Sequence, residues 1–211
     1  MGQLWTSLRE GLSCSNTIGK VVSLKLPLKY HEIRNCLRFF LAGGDPYREG
    51  RQGRYPPASD MSVLYYDCGL EISAYEIAKE CRSGRPDFDY VGSNNETFND
   101  RYFAFSYIDD ALNRWWNTGL KGSLGDLTPS QENSPMIPFL QMANGKTNRV
   151  GCAYHVCNDD DENAIAFTLF VCKYGDAQIE IGRPIYTQGE PCDSCKHKCI
   201  YYDRLCDTVN A

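Results

Sequence analysis

Histidine is scarce in this chain, with 3 in 211 residues, and neither a long apolar run nor a surplus of basic charge is present. Each shortage removes a class of function. A membrane-spanning helix needs about 20 consecutive apolar residues, and no run here approaches that. The formal net charge is −5, from 22 Lys and Arg against 27 Asp and Glu, the wrong sign for a nucleic-acid binder. Histidine is the usual general base and metal ligand. His31, His155 and His197 fall at a helix start, in a strand and in the C-terminal tail, and form no constrained pair. Residues Met1 to Glu10 lack the unbroken apolar stretch of a signal peptide, so a secreted protein is expected here in mature or engineered form.

Cysteine, by contrast, is abundant, at 11 residues. A chain of this length hides about 70% of its unfolded surface and folds without staples, so the cysteines point to an oxidising compartment and to disulfides. Cys192, Cys195, Cys199 and Cys206 also admit a four-thiolate zinc reading, but their second pair is spaced by six residues where zinc modules use two to four. The count is odd, so at least one thiol lacks an intrachain partner. Cys36, inside the first amphipathic helix, is the candidate, either as an inert buried thiol or as the bridge of a homodimer.

Pro27 suits a helix start, and Tyr30, Ile33, Leu37, Phe40 and Leu41 recur at helical spacing, with Lys29, Arg34 and Arg38 on other faces and Gly43-Gly44 as the end. The loop 43–60 carries Arg48, Arg51 and Arg54, a solvated basic stretch or a contact for an acidic partner. A second helix is expected over 69–81, with Leu70, Ala74, Ile77, Ala78 and Cys81 as its stripe. A third has Asp109 as its cap, Ile108, Ala111, Leu112, Trp115 and Trp116 as its face and Gly119 as its stop. Between these two helices a loop holds Asn95-Glu96-Thr97, the one complete N-glycosylation sequon. Val150–Cys157 and Ala164–Cys172 read as a hairpin whose acidic tip, 158–163, lacks the ligand spacing and central glycine of a calcium loop. The pattern is α+β in three layers: an extension over 1–19, one domain over 20–184 and a cysteine-rich tail over 185–211.

Four passages, in order, then carry a resemblance. Tyr66 to Cys81 sets Glu71, Ala74 and Ala78 between Cys68 and Cys81; Gln141 to Thr147 precedes Gly151-Cys152; Phe170 to Tyr174 holds Cys172; and Ile185 to Cys195 opens the tail. Over about residues 20–206 the chain resembles the CAP superfamily, also called SCP/TAPS, and within it the venom allergen-like or activation-associated secreted proteins of parasitic nematodes. The resemblance implies an α-β-α sandwich in a secreted protein. It implies bridges Cys157–Cys172 and Cys152 to Cys68 or Cys81, with Cys14 tied to the scaffold and the tail's four cysteines paired among themselves.

Departures from the family pattern bear on activity. Members with an intact central cavity line it with two histidines and two glutamates that hold zinc or another divalent ion. Here Pro138 stands where one histidine belongs, Arg82 to Val91 contains no histidine, Thr118 replaces one glutamate, and only Glu96 matches. The expectation is therefore no catalytic residue, no cofactor and no metal. Family resemblance then implies lipid binding. A sterol would lie on the aromatic segment Phe98, Tyr102, Phe103, Phe105 and Tyr107, and a fatty acid in a groove lined by Leu37, Phe40, Leu41, Leu112 and Trp116. The same residues also suit a core strand and an ordinary helix–helix core. Host modulation is the implied role, and engagement of a host receptor by the basic loop or tail is the alternative.

Overall fold

The β-branched and aromatic runs of the second half form the expected hairpin. Numbered along the chain, the strands are β1 Tyr65–Tyr66, β2 Ser93–Phe98, β3 Arg149–Cys157 and β4 Phe167–Tyr174. They make one sheet in the order β1-β3-β4-β2, with β1 parallel to β3 and the other pairs antiparallel. This computed structural model describes residues 29–45, 53–82, 92–158, 164–175 and 178–208, with side chains from Arg34 onward. The extension 1–19, Arg48 and Arg51, residues 83–91, the hairpin tip 159–163 and the side chain of His31 lie outside the described part.

Strand alternation sends Cys152, Phe170, Cys172 and Tyr174 to one face and Ala153, Leu169 and Val171 to the other. Helix α2, Cys68–Lys79, covers the second face. Asp67 caps it by accepting from the Leu70 N–H at 2.8 Å, and Ala74 and Ala78 lie on Ala153, Leu169 and Val171. The approach is close enough that a Cβ on Gly151 would stand 2.2 Å from the Glu71 nitrogen. The first face is covered by α1 Lys29–Ala42, α3 Ser106–Lys121 and α4 Ile137–Ala143, so the molecule is the three-layer α-β-α sandwich expected.

The α3 stripe is buried as its period predicts, but both ends differ from the sequence reading. Phe105 occupies the cap position and Asp109 the first turn, where a carboxylate also meets the positive helix end. The helix runs through Gly119 to Lys121. Gly119 is a contact rather than a stop, since a Cβ there would be 2.1 Å from the Phe139 ring. The sequence reading has no helix at α4, where Gln141 to Ala143 are helical although the resemblance set them with the central strand region. Pro135 sits in the 3₁₀ turn Gln131–Met136, and Pro138 lies in the first turn of α4, where a missing N–H costs nothing.

Helix α1 requires the largest correction. Its buried face carries Arg34, Asn35, Arg38, Leu41 and Ala42, whereas Leu37 is half-buried and Phe40 is 46% exposed. Hydrogen bonds from its polar side chains to backbone groups set this orientation. The Asn35 amide donates to the Leu64 carbonyl at 2.9 Å and accepts the Leu64 N–H at 2.8 Å. Arg38 donates to the carbonyls of Met142, Gly145 and Thr147 at 3.1–3.2 Å. A buried carbonyl left unpaired would cost as much as a lost hydrogen bond, so polar side chains win the core-facing positions.

The disulfides also differ from the implied pairing. Cys152 is opposite Cys172 in the β3–β4 register and bonds to it, while Cys157, opposite Phe167, bonds to Cys81 after α2. A Cys157–Cys172 bridge would have to span five rungs of the ladder. In the tail Cys192 pairs with Cys199 and Cys195 with Cys206, closing a small hairpin of β5 Cys199–Ile200 and β6 Leu205–Cys206. Ile185, Tyr186 and Leu205 join the main core, so the tail packs as part of it. Gly119→Ala is expected to cost about 1–3 kcal/mol by forcing a methyl into the Phe139 ring. A lowered urea midpoint with unchanged slope would report this, and an unshifted midpoint would contradict the packing.

Candidate functional site

The inner end of β2 is where the family's metal ligands would gather. Glu96 is there, but the Arg114 guanidinium on α3 holds its carboxylate at 2.8 Å and also lies over the Phe98 ring. Pro138 contributes only a carbonyl, which accepts from the Asn94 amide at 2.9 Å. The Thr118 hydroxyl donates to the Trp115 carbonyl at 2.7 Å, within its own helix. His155 is on the outer sheet face, edge-on to Tyr75, and His197 is exposed in the tail. Among the described residues one trio of ligand-type side chains clusters, Cys192, Cys195 and Cys199, and all three are in disulfides. The donor set does not fit a divalent ion.

The structure divides the five candidate sterol residues. Phe98 is buried and stacked on Tyr107 with centroids 4.4 Å apart, and Phe103 stacks on Tyr154 at 4.0 Å. Tyr107 also donates to Asp100 at 2.5 Å, and that hydrogen bond holds the Asp100 carboxyl below its usual range. These three rings are packing residues. Tyr102 and Phe105 are 79% and 52% exposed on the same segment, which the inner rings and Asp100 anchor. The fatty-acid set divides too. Leu41, Leu112 and Trp116 are buried in the main core, Leu37 is half-buried against it, and Phe40 faces outward.

Asn95 lies half-exposed on edge strand β2, whereas the sequence reading put its sequon in a loop. Cys36 is a free, exposed thiol; partial burial pushes its pKa up, so it is not an activated nucleophile. Cys68 is disulfide-bonded, with its partner outside the described residues. Sequence reasoning missed the Arg114 clamp on Glu96, because nothing in a spacing of 18 residues signals it. It also missed the buried Glu71, which accepts a very short hydrogen bond from Tyr66.

A four-stranded sheet between two helical layers, stapled by disulfides, defines the class of α-β-α sandwich to which the chain belongs. The sequence pattern of the cysteine-rich secretory protein (CAP) family matches residues 32–174, and the chain belongs to that family. Ancylostoma secreted protein from Ancylostoma caninum is 31% identical over 166 residues, covering 73% of this chain and 38% of its own length. Hookworm platelet inhibitor 1, from the same organism, is 28% identical over 65% of this chain and 62% of its own. The chain thus spans less than two thirds of either relative. Among solved structures, NaASP2 with Zn2+ superposes with a TM-score of 0.70 at 28% identity, covering 84% of this chain and 93% of that one.

Two outcomes test this chemistry. Thiol labelling of the denatured, unreduced protein should find a single reactive cysteine, in the Cys36 peptide; a second would contradict the bridges. Burial raises the Glu71 carboxyl above its ordinary 4.5, with the Tyr66 hydrogen bond opposing. The folded state then holds a proton that the unfolded state releases, so this contribution falls as pH rises from about 4.5 through the raised value. Glu71→Gln should flatten that limb of the stability profile, measured by urea denaturation across pH 4–8, and an unchanged slope would overturn the assignment.

Proposed function

We propose that this is a secreted, non-catalytic CAP-domain protein that binds a small hydrophobic ligand, a sterol before a fatty acid, in the service of modulating a host. Secretion is supported by the disulfides of the described chain, by the half-exposed sequon at Asn95 and by the likeness to Ancylostoma secreted protein. In addition, among the described residues no helix is long and apolar enough to cross a membrane. NaASP2 was solved with Zn2+, but Pro138 and the Arg114–Glu96 pair speak against that chemistry in this chain.

The observation that carries the sterol reading is the exposure of Tyr102 and Phe105 on a segment whose other rings are locked into the core. Two exposed rings on a held backbone offer flat apolar surface at little ordering cost. Burying each against a sterol would contribute about 1.5–3 kcal/mol. The fatty-acid reading is weaker, because three of its five residues already fill the core. A second surface favours the host-receptor alternative. Tyr202, 73% exposed, sits on a turn where Tyr201, Tyr202 and Asp203 all have φ near +55°, and it packs edge-on to Phe39. Hookworm platelet inhibitor 1 bears a name of that kind of role.

The two readings separate by mutation. Saturable cholesterol binding should weaken by about tenfold or more in Tyr102→Ser/Phe105→Ser, and persist in Tyr202→Ser. Binding that survives the double change, in a protein with native circular dichroism, would overturn the loop assignment.

A further inference from the structure

The inner sheet face collects buried polar side chains that the protein itself leaves unsatisfied. Arg34 and Arg38 lie one turn apart on α1, both fully buried, and neither pairs with a carboxylate among the described residues. Arg34 Nη2 touches Sγ of Cys152 at 2.7 Å and of Cys172 at 3.0 Å, whereas the Nη atoms of Arg38 serve the carbonyls of Met142, Gly145 and Thr147. The Nε–H of each arginine has no partner among the described residues.

Register and α4 bring the remaining groups to the same place. Asn94 stands beside Cys172 across the β2–β4 ladder, next to the sulfur that Arg34 touches. Its amide donates to the Pro138 carbonyl at 2.9 Å and to the Tyr174 hydroxyl at 3.3 Å, while its Oδ1 is unpaired. Gln141, fully buried, lies on α4 between Pro138, which Asn94 holds, and Met142, which Arg38 holds; neither of its amide atoms is paired.

Burying a cation without a counter-charge is among the most expensive things a fold can do. Native interiors pair such groups with protein, water or an ion. The neighbouring ionisable groups among the described residues supply only part of the charge. Burial pushes the Tyr174 and Tyr66 phenols up, and Asp60, which attracts Arg38 from a distance, makes no ion pair with it and accepts from Thr187 instead. The same burial lowers Arg34 and brings Arg38 down to about 9, still charged at neutral pH.

We propose that Arg34, Arg38 and Gln141 form an enclosed site for one small inorganic anion of halide size, between α1, α4 and the sheet. The anion accepts from the Nε–H groups and the Gln141 amide, and offsets the two positive charges as a neutral water cannot. A water between it and Asn94 Oδ1 satisfies both. The site is independent of the lipid surface.

The decisive experiment is a crystal of the intact protein grown with bromide in place of chloride. An anomalous peak within about 3.5 Å of both Nε atoms is expected, since halide–nitrogen contacts run somewhat longer than N–H···O bonds. Water density there without an anomalous peak would overturn the proposal. In solution, at equal ionic strength, the wild type should melt about 3 °C higher in sodium chloride than in sodium gluconate. Gln141→Leu, which removes an amide donor without leaving a buried charge, should lose most of that difference. Equal wild-type melting in the two salts would show that the anion does not bind in solution and would also overturn the site.

Discussion

The structure depends on one demand: the buried carbonyls of the turn from Met142 to Thr147, and the backbone of Leu64, are to be tied to the first helix. Arg38 and Asn35 supply the hydrogen bonds from α1. Meeting that demand fixes how the helix is rotated about its axis. It turns Phe40 toward solvent, leaves Leu37 half-buried, and sets the Arg34 guanidinium on the Cys152–Cys172 bridge. The helix is therefore seated by hydrogen bonds over the sheet, with Leu41 and Ala42 as its apolar contribution.

From that seating the functional picture follows. The cross-strand bridge, the Cys81–Cys157 link to α2 and the packed α3 give a stiff sandwich. In its cleft Glu96 is neutralised by Arg114, with no imidazole nearby among the described residues. A body stapled in this way is suited to presenting surface groups. Its exposed rings, Tyr102 and Phe105 at one place and Tyr202 with Phe40 at another, are the groups to which the proposed function assigns recognition.

Much of this was legible in the sequence where a single period dominated. The α2 and α3 stripes and the β3–β4 hairpin follow directly from apolar spacing, and four short motifs identified the family. The rotation of α1 was not legible, because charged residues are expected outside and the carbonyls that draw Arg38 inward lie more than 100 residues away. Helix α4 was not legible for a local reason: it is one short segment with Pro138 in its first turn, and a proline's tolerance there depends on where the turn begins. For the aromatic segment, the family resemblance named five rings alike, whereas strand alternation and the Asp100–Tyr107 bond decide which of them point out. Cysteine positions identified the disulfide class, whereas the pairing awaited the register of β3 on β4.

The central proposal is that this CAP domain holds no divalent ion at Glu96 and acts by binding. Zinc analysis of the purified protein after equilibrium dialysis against micromolar zinc tests it most directly. The account predicts far less than one zinc per chain, unchanged by Glu96→Gln. Retention of about one zinc per chain, the stoichiometry of an intact ligand set, and its loss in Glu96→Gln would contradict it.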